Sequence, residues 1–141
     1  MALKNQMRLR PLTRDDLETV RHLRNANRHA FFDDREISAE EQAGWFERLS
    51  DRPVKFYVIE KDGRVIGTIS LTETREGREV GNLVLDPAYR GQGIMRHAVE
   101  QLCAEPGTYF AEVKAGNDPS LRVFTATGFG PEVIRLYKRV G

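Results

Sequence analysis

Cysteine is nearly absent from this sequence, since Cys103 is the only one in 141 residues. A single thiol cannot form an internal disulfide, nor can it supply the cysteine pairs of a structural zinc site. No apolar run approaches the ~18 residues that a membrane span requires, and residues 1–6 lack the apolar stretch of a secretory leader. We therefore expect a protein of the reducing cytoplasm that has neither a metal site nor a membrane anchor.

An excess of either charge is also missing, because 22 Lys and Arg stand against 21 Asp and Glu. No overall field attracts nucleic acid or an anionic membrane. The hydrophobic content of 40% and charged content of 30% are typical of a globular protein. The length suits one domain, expected over residues 1–141. The expected partner is a small-molecule or peptide acceptor, and the expected assembly is a monomer or homodimer.

The spacing of apolar and turn-forming residues predicts the order β-α-α-β-β-β-α-β-α-β. Ser38 and Glu41 form a capping box for the second helix, and Asp62-Gly63 is a hairpin turn signal. Glycine inside the fourth strand, at Gly81-Asn82, indicates either a β-bulge or a poorly formed strand end. The predicted strands span residues 7–12, 54–60, 65–73, 79–85, 109–113 and 133–140. Four helices are predicted: three begin after Thr13, Ser38 and Gln92, and the fourth spans residues 120–127.

This order predicts an α/β (α+β) fold. Three consecutive antiparallel strands followed by a β-α-β unit give a mixed, largely antiparallel sheet. We expect six to seven strands with helices on both faces.

A glycine-rich loop, Arg-Gly-Gln-Gly over residues 90–93, joins the fourth strand to the third helix. The unpaired N–H groups and positive dipole end of a helix face such a loop, so it can hold a pyrophosphate. A dinucleotide fingerprint needs a third glycine where Arg96 stands, and a P-loop needs Gly-Lys-Ser/Thr after Gly93. Neither is present. Taken alone, the two glycines fit a plain tight turn as well as a phosphate loop.

The flanking residues favour the phosphate loop. Residues 83–94 read Leu-Val-Leu-Asp-Pro-Ala-Tyr-Arg-Gly-Gln-Gly-Ile, and residues 117–129 read Asn-Asp-Pro-Ser-Leu-Arg-Val-Phe-Thr-Ala-Thr-Gly-Phe. Together, in this order, they resemble the two main motifs of the GNAT superfamily of N-acetyltransferases. The early Leu-Arg-Pro-Leu-Thr over residues 9–13 and the Arg24-Asn25 pair resemble the subgroup that acetylates ribosomal-protein N-termini, spermidine, aminoglycosides and nucleotide-linked amino sugars.

The resemblance implies acetyl-CoA as the co-substrate and a sheet splayed between its fourth and fifth strands, with the pantetheine arm in the gap. A backbone N–H near Leu85 would polarise the thioester carbonyl. Met95 departs from the Gly or Ala usual at its position, so we expect its side chain to enter the helix packing. The residues expected to hold acetyl-CoA are Leu83, Val84, Leu85, Arg90, Gly91, Gln92, Gly93, Ile94, Met95, Asn117 and Phe124.

A primary amine carries a proton at neutral pH, with a pKa near ~10.4, and must lose it before attack. Glu79 is the candidate general base, because it lies six positions before the thioester-binding end of its strand and several family members keep a glutamate there. The alternative is a solvent-facing carboxylate paired with Arg78 or Arg75.

The first helix and the loop after it supply candidates for acceptor binding. Arg24 and Asn25 belong to a polar stripe that could bind an anionic acceptor through arginine, or could simply face solvent. His29, beside Phe31 in the following loop, could reach the acceptor pocket, or could lie in the loop without a role.

Phe124 is the main departure from the family, since many members have there a tyrosine proposed as general acid. Two function classes follow. The first is an N-acetyltransferase in which an amine, from an amino sugar or another small molecule, attacks acetyl-CoA directly in a ternary complex. The second is a non-catalytic acyl-CoA-binding sensor or scaffold.

Overall fold

A computed structural model of the chain describes residues 7–141. Its sheet has five strands in the order β1-β2-β3-β4-β5, antiparallel except for the parallel pair β4 and β5. The mixed α/β class, with a largely antiparallel sheet, is confirmed. The strands are β1 Met7–Pro11, β2 Val54–Lys61, β3 Arg64–Glu73, β4 Arg78–Leu85 and β5 Tyr109–Phe110, and the helices are α1 Leu17–Ala26, α2 Ala39–Leu49, α3 Ile94–Leu102 and α4 Asp118–Ala126.

Local sequence signals account for several of these boundaries. Asp62 and Gly63 have φ angles of 52° and 78°, as the hairpin between β2 and β3 requires. The predicted capping box begins α2, since the backbone N–H of Glu41 donates to Oγ of Ser38 at 3.1 Å, and the reciprocal bond has the same length. Asn117 caps α4, which begins two residues earlier than predicted.

The main core lies between one face of the sheet and the pair α3 and α4. Ile59, Ile69 and Val80 lie on the same face of three neighbouring strands, and they pack with Ala98 and Val99 of α3. Burial of each large aliphatic side chain contributes about 1.5–3 kcal/mol to the free energy of folding.

The helices α1 and α2 cover the opposite face, and they place a loop beside β4. The register partners Val58 and Thr68 are buried on that side, where α1 contacts β3 and β4. Gln42 of α2 donates to the carbonyl of Leu17 at 2.7 Å, which joins the two helices. Among residues 7–141, no helix has both the length and the hydrophobicity to cross a bilayer.

The sheet differs from the prediction in one shorter strand and one missing strand, so it has five strands. The fifth strand ends at Phe110 rather than 113, because the chain diverges from β4 there. The strand predicted over 133–140 does not form, and residues 129–141 have no regular structure. Its β-forming side chains predicted a strand, but a strand needs a neighbouring backbone to pair with. The large apolar side chains of this segment are 69–87% exposed: Val133, Ile134, Leu136, Tyr137 and Val140.

Candidate active site

A cleft of about 240 Å³ opens where β4 and β5 separate. The two strands pair only through Arg78 with Tyr109 and Glu79 with Phe110. Beyond Glu79, the remainder of β4 has no strand on that side within residues 7–141. The gap between the fourth and fifth strands that the sequence resemblance implies is therefore present. The cleft is lined by Ala30, Phe31, Phe32, Ser70, Thr72, Glu79, Val80, Gly81, Asn82, Leu83, Glu112, Val113, Asn117, Ser120 and Phe124.

The predicted bulge lies in β4 at the edge of this cleft. The register with β3 shifts between Thr68, which faces Val84, and Ser70, which faces Gly81, so β4 carries one extra residue. Asn82 adopts a left-handed φ of 54°, a conformation that asparagine tolerates better than most residues. The bulge interpretation is confirmed, and the alternative of a poorly formed strand end is wrong.

Glu79 is half-buried in the cleft, and its pKa is raised above the ordinary value. Burial is the main cause, and the nearby carboxylates of Glu112 and Glu76 add to it. Arg78 does not pair with Glu79, because its guanidinium bonds Glu73 at 3.0 Å. No ion pair of Glu79 is formed within the part of the chain that the structure describes. A carboxylate with a raised pKa in a cleft is suited to accept a proton.

The glycine-rich loop lies beyond the far end of β4, next to the first turn of α3. Gly91 and Gly93 have φ angles of 78° and 74°, so both positions favour glycine, and a methyl group at either would meet no atom within 4 Å. Among residues 7–141 no side chain caps α3, whereas α2 and α4 are capped by Ser38 and Asn117. The first N–H groups of α3 therefore have no side-chain acceptor there, and an anion could accept from them.

Neighbouring elements hold this loop in place. The Arg90 guanidinium donates to Oδ1 of Asn27, at the end of α1, with a distance of 2.6 Å. Lys61, at the end of β2, donates to Oε1 of Gln92 at 3.3 Å. The amino group of Lys61 thus adds a positive charge beside the loop, which the sequence alone did not indicate.

The predicted cofactor residues occupy three settings. Leu83, Asn117 and Phe124 line the cleft. Asn117 Oδ1 also accepts from the backbone N–H of Ser120 at 3.3 Å, and the Phe124 ring packs edge-on against Phe129 at 4.9 Å. Val84, Ile94 and Met95 are buried, the last two in the core, so Met95 enters the helix packing as expected. Leu85 is half-buried at the end of β4, and residues 90–93 form the exposed loop.

The predicted acceptor residues are divided between the cleft and its supporting loop. Phe31 lines the cleft, whereas His29 is exposed and lies outside the lining. Arg24 donates to two carbonyls of the loop after α1 and lies over the Phe31 ring at 4.3 Å. Asn25 exchanges two hydrogen bonds with the backbone of Ile37, at 2.8 and 3.0 Å. The structure therefore uses Arg24 and Asn25 to build the loop.

Two further polar groups of the site were missed by the sequence reasoning. Glu112 lines the cleft, and Lys114 holds the loop that carries Phe31. Alternation along residues 109–113 would have placed Glu112 on the same side as Phe110, the partner of Glu79. Nothing local in the sequence indicates the contact of Lys114, because the carbonyls it bonds lie 83 and 85 residues away along the chain.

Comparison with known proteins points in one direction. The model of the acetyltransferase (GNAT) family matches residues 17–129. A Bacillus subtilis protein described as an alanine N-acetyltransferase of ribosomal protein bS18 is 32% identical. The match covers 64% of this chain and 64% of that protein, so the chain spans less than two thirds of the relative's length. Spermidine N(1)-acetyltransferase of Escherichia coli is 25% identical over 94% of this chain and 77% of the relative. In fold, the chain is similar to spermidine N-acetyltransferase from Vibrio cholerae, solved with CoA and spermine (TM-score 0.78, 21% identity, 92% of this chain and 83% of that one).

Proposed function

We propose that this chain, which belongs to the acetyltransferase (GNAT) family, transfers an acetyl group from acetyl-CoA to a primary amine. The observation that carries the proposal is the cleft between β4 and β5, which contains a half-buried carboxylate and adjoins a strand edge free to pair. One domain over residues 1–141 and a cytoplasmic location are part of the proposal.

The cofactor side is supported by the geometry of β4 and α3. The backbone of β4 after Glu79 can pair with an extended pantetheine arm much as it would with an added strand. The uncapped start of α3 and the loop of Gly91 and Gly93 suit a pyrophosphate, and Lys61 adds a positive charge nearby. We assign the peptide N–H near Leu85 to the thioester carbonyl, as a donor fixed by the strand.

Glu79 is assigned as the general base, acting directly or through water. The amine nitrogen attacks the thioester carbon of acetyl-CoA, so that a C–N bond forms, the C–S bond breaks and CoA leaves as its thiolate. The amine is an ammonium at neutral pH and gives up two protons on the way to the amide. The Glu79 carboxylate takes the first proton before the attack, and the second is released to water once the C–N bond has formed. The raised pKa of Glu79 is closer to that of the amine, which favours the transfer. Phe124 has no hydroxyl, so no acid is assigned for the thiolate.

The charge of the cleft indicates the acceptor. Its two charged lining residues are Glu79 and Glu112, both acidic, whereas Arg24 is engaged with the loop. The exposed ring of Phe32 supplies an aromatic face, which also attracts cations, whereas the Phe31 ring already has the Arg24 guanidinium over one face at 4.3 Å. We therefore propose a small amine with at least one further positive charge. The relative named for spermidine is consistent with this class.

An acceptor panel with detection of the released thiol tests the proposal. It compares a polyamine, an aminoglycoside, an N-terminal peptide and a nucleotide-linked amino sugar at equal concentration. We expect the polyamine and the aminoglycoside to be acetylated with the highest kcat/KM, and the anionic amino sugar with the lowest. Preference for the anionic sugar would contradict the assigned acceptor class. Binding of acetyl-CoA with no transfer to any amine would favour a sensor or scaffold.

A further inference from the structure

We propose that Lys114 is a positioning residue that fixes the aromatic wall of the acceptor site, defined as Phe31 and Phe32. This inference rests on the proposed function, because it concerns the amine that the cleft would receive. Lys114 lies between β5 and α4, at a distance of 83 residues along the chain from Phe31. It does not itself line the cleft.

The ammonium group of Lys114 is held by two carbonyls and one carboxylate. Its Nζ donates to the carbonyl of Phe31 at 3.0 Å and to that of His29 at 3.2 Å, and the Asp34 carboxylate forms an ion pair with it at 3.7 Å. The two hydrogen bonds use two of the three N–H donors of the ammonium, and the ion pair adds a charge of opposite sign beside it. The side chain is 31% exposed, and charge-assisted bonds at such a site are stronger than bonds between neutral groups.

The loop that carries the aromatic wall is otherwise anchored from α1. Arg24 and Asn25 bond the far half of that loop, at Asp33, Arg35 and Ile37. Lys114 bonds the first half of the loop, at His29 and Phe31, from the other side of the cleft. Its neighbours Val113 and Asn117 line that side. Lys114 therefore sets the distance between the aromatic wall and the wall formed by Val113 and Asn117.

This distance bears on the acceptor rather than on the cofactor. Phe31 and Phe32 lie at the same cleft as Glu79, whereas the glycine-rich loop lies beyond the other end of β4. The wall contacts the amine in the ground state and in the transition state alike, so a misplaced wall weakens binding of the amine and leaves the chemical step nearly unchanged. Acetyl-CoA does not depend on the wall for its phosphates. Loss of Lys114 should therefore raise the KM of the amine and leave acetyl-CoA binding intact.

Lys114→Met removes the donors and nearly preserves the length of the side chain. We expect the KM of the amine to rise about tenfold, with kcat changed less than threefold and the Kd of acetyl-CoA unchanged. Lys114→Arg should restore most of the loss, since it retains charged donors. Lys55→Met, an exposed lysine of β2, serves as the matched control and should behave as wild type.

Amide hydrogen exchange supplies a readout that does not require turnover. In Lys114→Met, exchange of residues 28–35 should be faster than in wild type, while that of α3 stays the same. Unchanged exchange in this loop overturns the inference, and so does an unchanged KM for the amine. If the wild type transfers acetyl to no amine, the proposed function fails. Faster exchange in Lys114→Met would then show Lys114 to be a structural anchor only, and its role in acceptor binding would be overturned as well.

Discussion

Asn82 Nδ2 lies 2.9 Å from Oγ of Ser70, so the extra residue of β4 is bonded directly to β3. From the other side, the hydroxyl of Thr68 donates to the carbonyl of Asn82 at 2.7 Å. Both partners are buried in the sheet. These bonds hold the bulge at the point where β4 passes from the segment paired with β5 to the segment with a free edge.

The bulge gives a stability prediction for two variants of one residue. Asn82→Gly loses the bond to Ser70 and removes the β-carbon, whereas Asn82→Ala loses the same bond and keeps a β-carbon in the left-handed region, which asparagine tolerates better than alanine does. We expect both to lower the free energy of unfolding, Gly by about 0.5–1.5 kcal/mol and Ala by about 1 kcal/mol more. Urea unfolding measures the difference, and an alanine variant more stable than the glycine variant would refute the assigned backbone strain.

Glu79→Gln should lower kcat/KM by ~10²–10⁴ at pH 7, because the amide cannot accept the amine proton. The loss should shrink as the pH rises toward ~10, where more of the amine is already neutral. The matched control is Glu112→Gln in the same cleft, which should raise the KM of the amine and leave kcat within a few-fold. Full activity of Glu79→Gln at pH 7 would remove Glu79 from the mechanism.

The same substitution should stabilise the folded protein. The pKa of Glu79 is raised on folding, so its ionised form is less favourable in the folded state than in the unfolded chain. This penalty is present above the folded pKa and disappears below the unfolded value near 4.5. We expect Glu79→Gln to melt higher than wild type at pH 7, with a difference that vanishes toward pH 3.

Thermal unfolding across pH checks this, with Glu47→Gln on the exposed side of α2 as the control. A melting temperature of Glu79→Gln that falls at pH 7, or a gain that persists at pH 3, would be incompatible with the raised pKa.

Phe124→Tyr tests whether transfer needs a hydroxyl at this position. A thiolate with a pKa near ~8.5 can leave without full protonation, so we expect the rate to change less than tenfold. Phe129→Tyr, in the ring that packs against Phe124, controls for the insertion of a hydroxyl into this cluster. A wild type without turnover beside an active Phe124→Tyr would establish the sensor or scaffold reading instead.

Short-range signals in the sequence predicted the parts of the fold that short-range physics determines. The hairpin at Asp62-Gly63 and the box of Ser38 and Glu41 need only neighbouring residues, and both are present. The strand over 133–140 was wrong for the opposite reason. Its apolar side chains satisfy a local preference, but a strand also needs a partner, which no local pattern supplies.

The same limit applies to the cleft. Glu79, Gly81 and Leu83 share one strand, so their relation followed from the sequence. Glu112 and Lys114 reach the site only because the chain after β5 returns past the loop after α1. Contacts of this kind depend on the tertiary fold and leave no periodic signal.

The central claim, that acetyl-CoA binds along β4 with its phosphates at the start of α3, is tested most directly by calorimetric titration of three proteins. They are the wild type, Gly93→Gln and Gly93→Glu, whose added side chains have nearly equal size and open space to occupy, although both strain a φ of 74°. Wild type should bind, and a hundredfold excess over Kd should add about 2.7 kcal/mol to the free energy of unfolding.

The account predicts that Gly93→Glu binds at least tenfold more weakly than Gly93→Gln, because only the glutamate places a negative charge against the phosphates. No heat with wild type at millimolar acetyl-CoA, or equal affinity of the two variants, would contradict it.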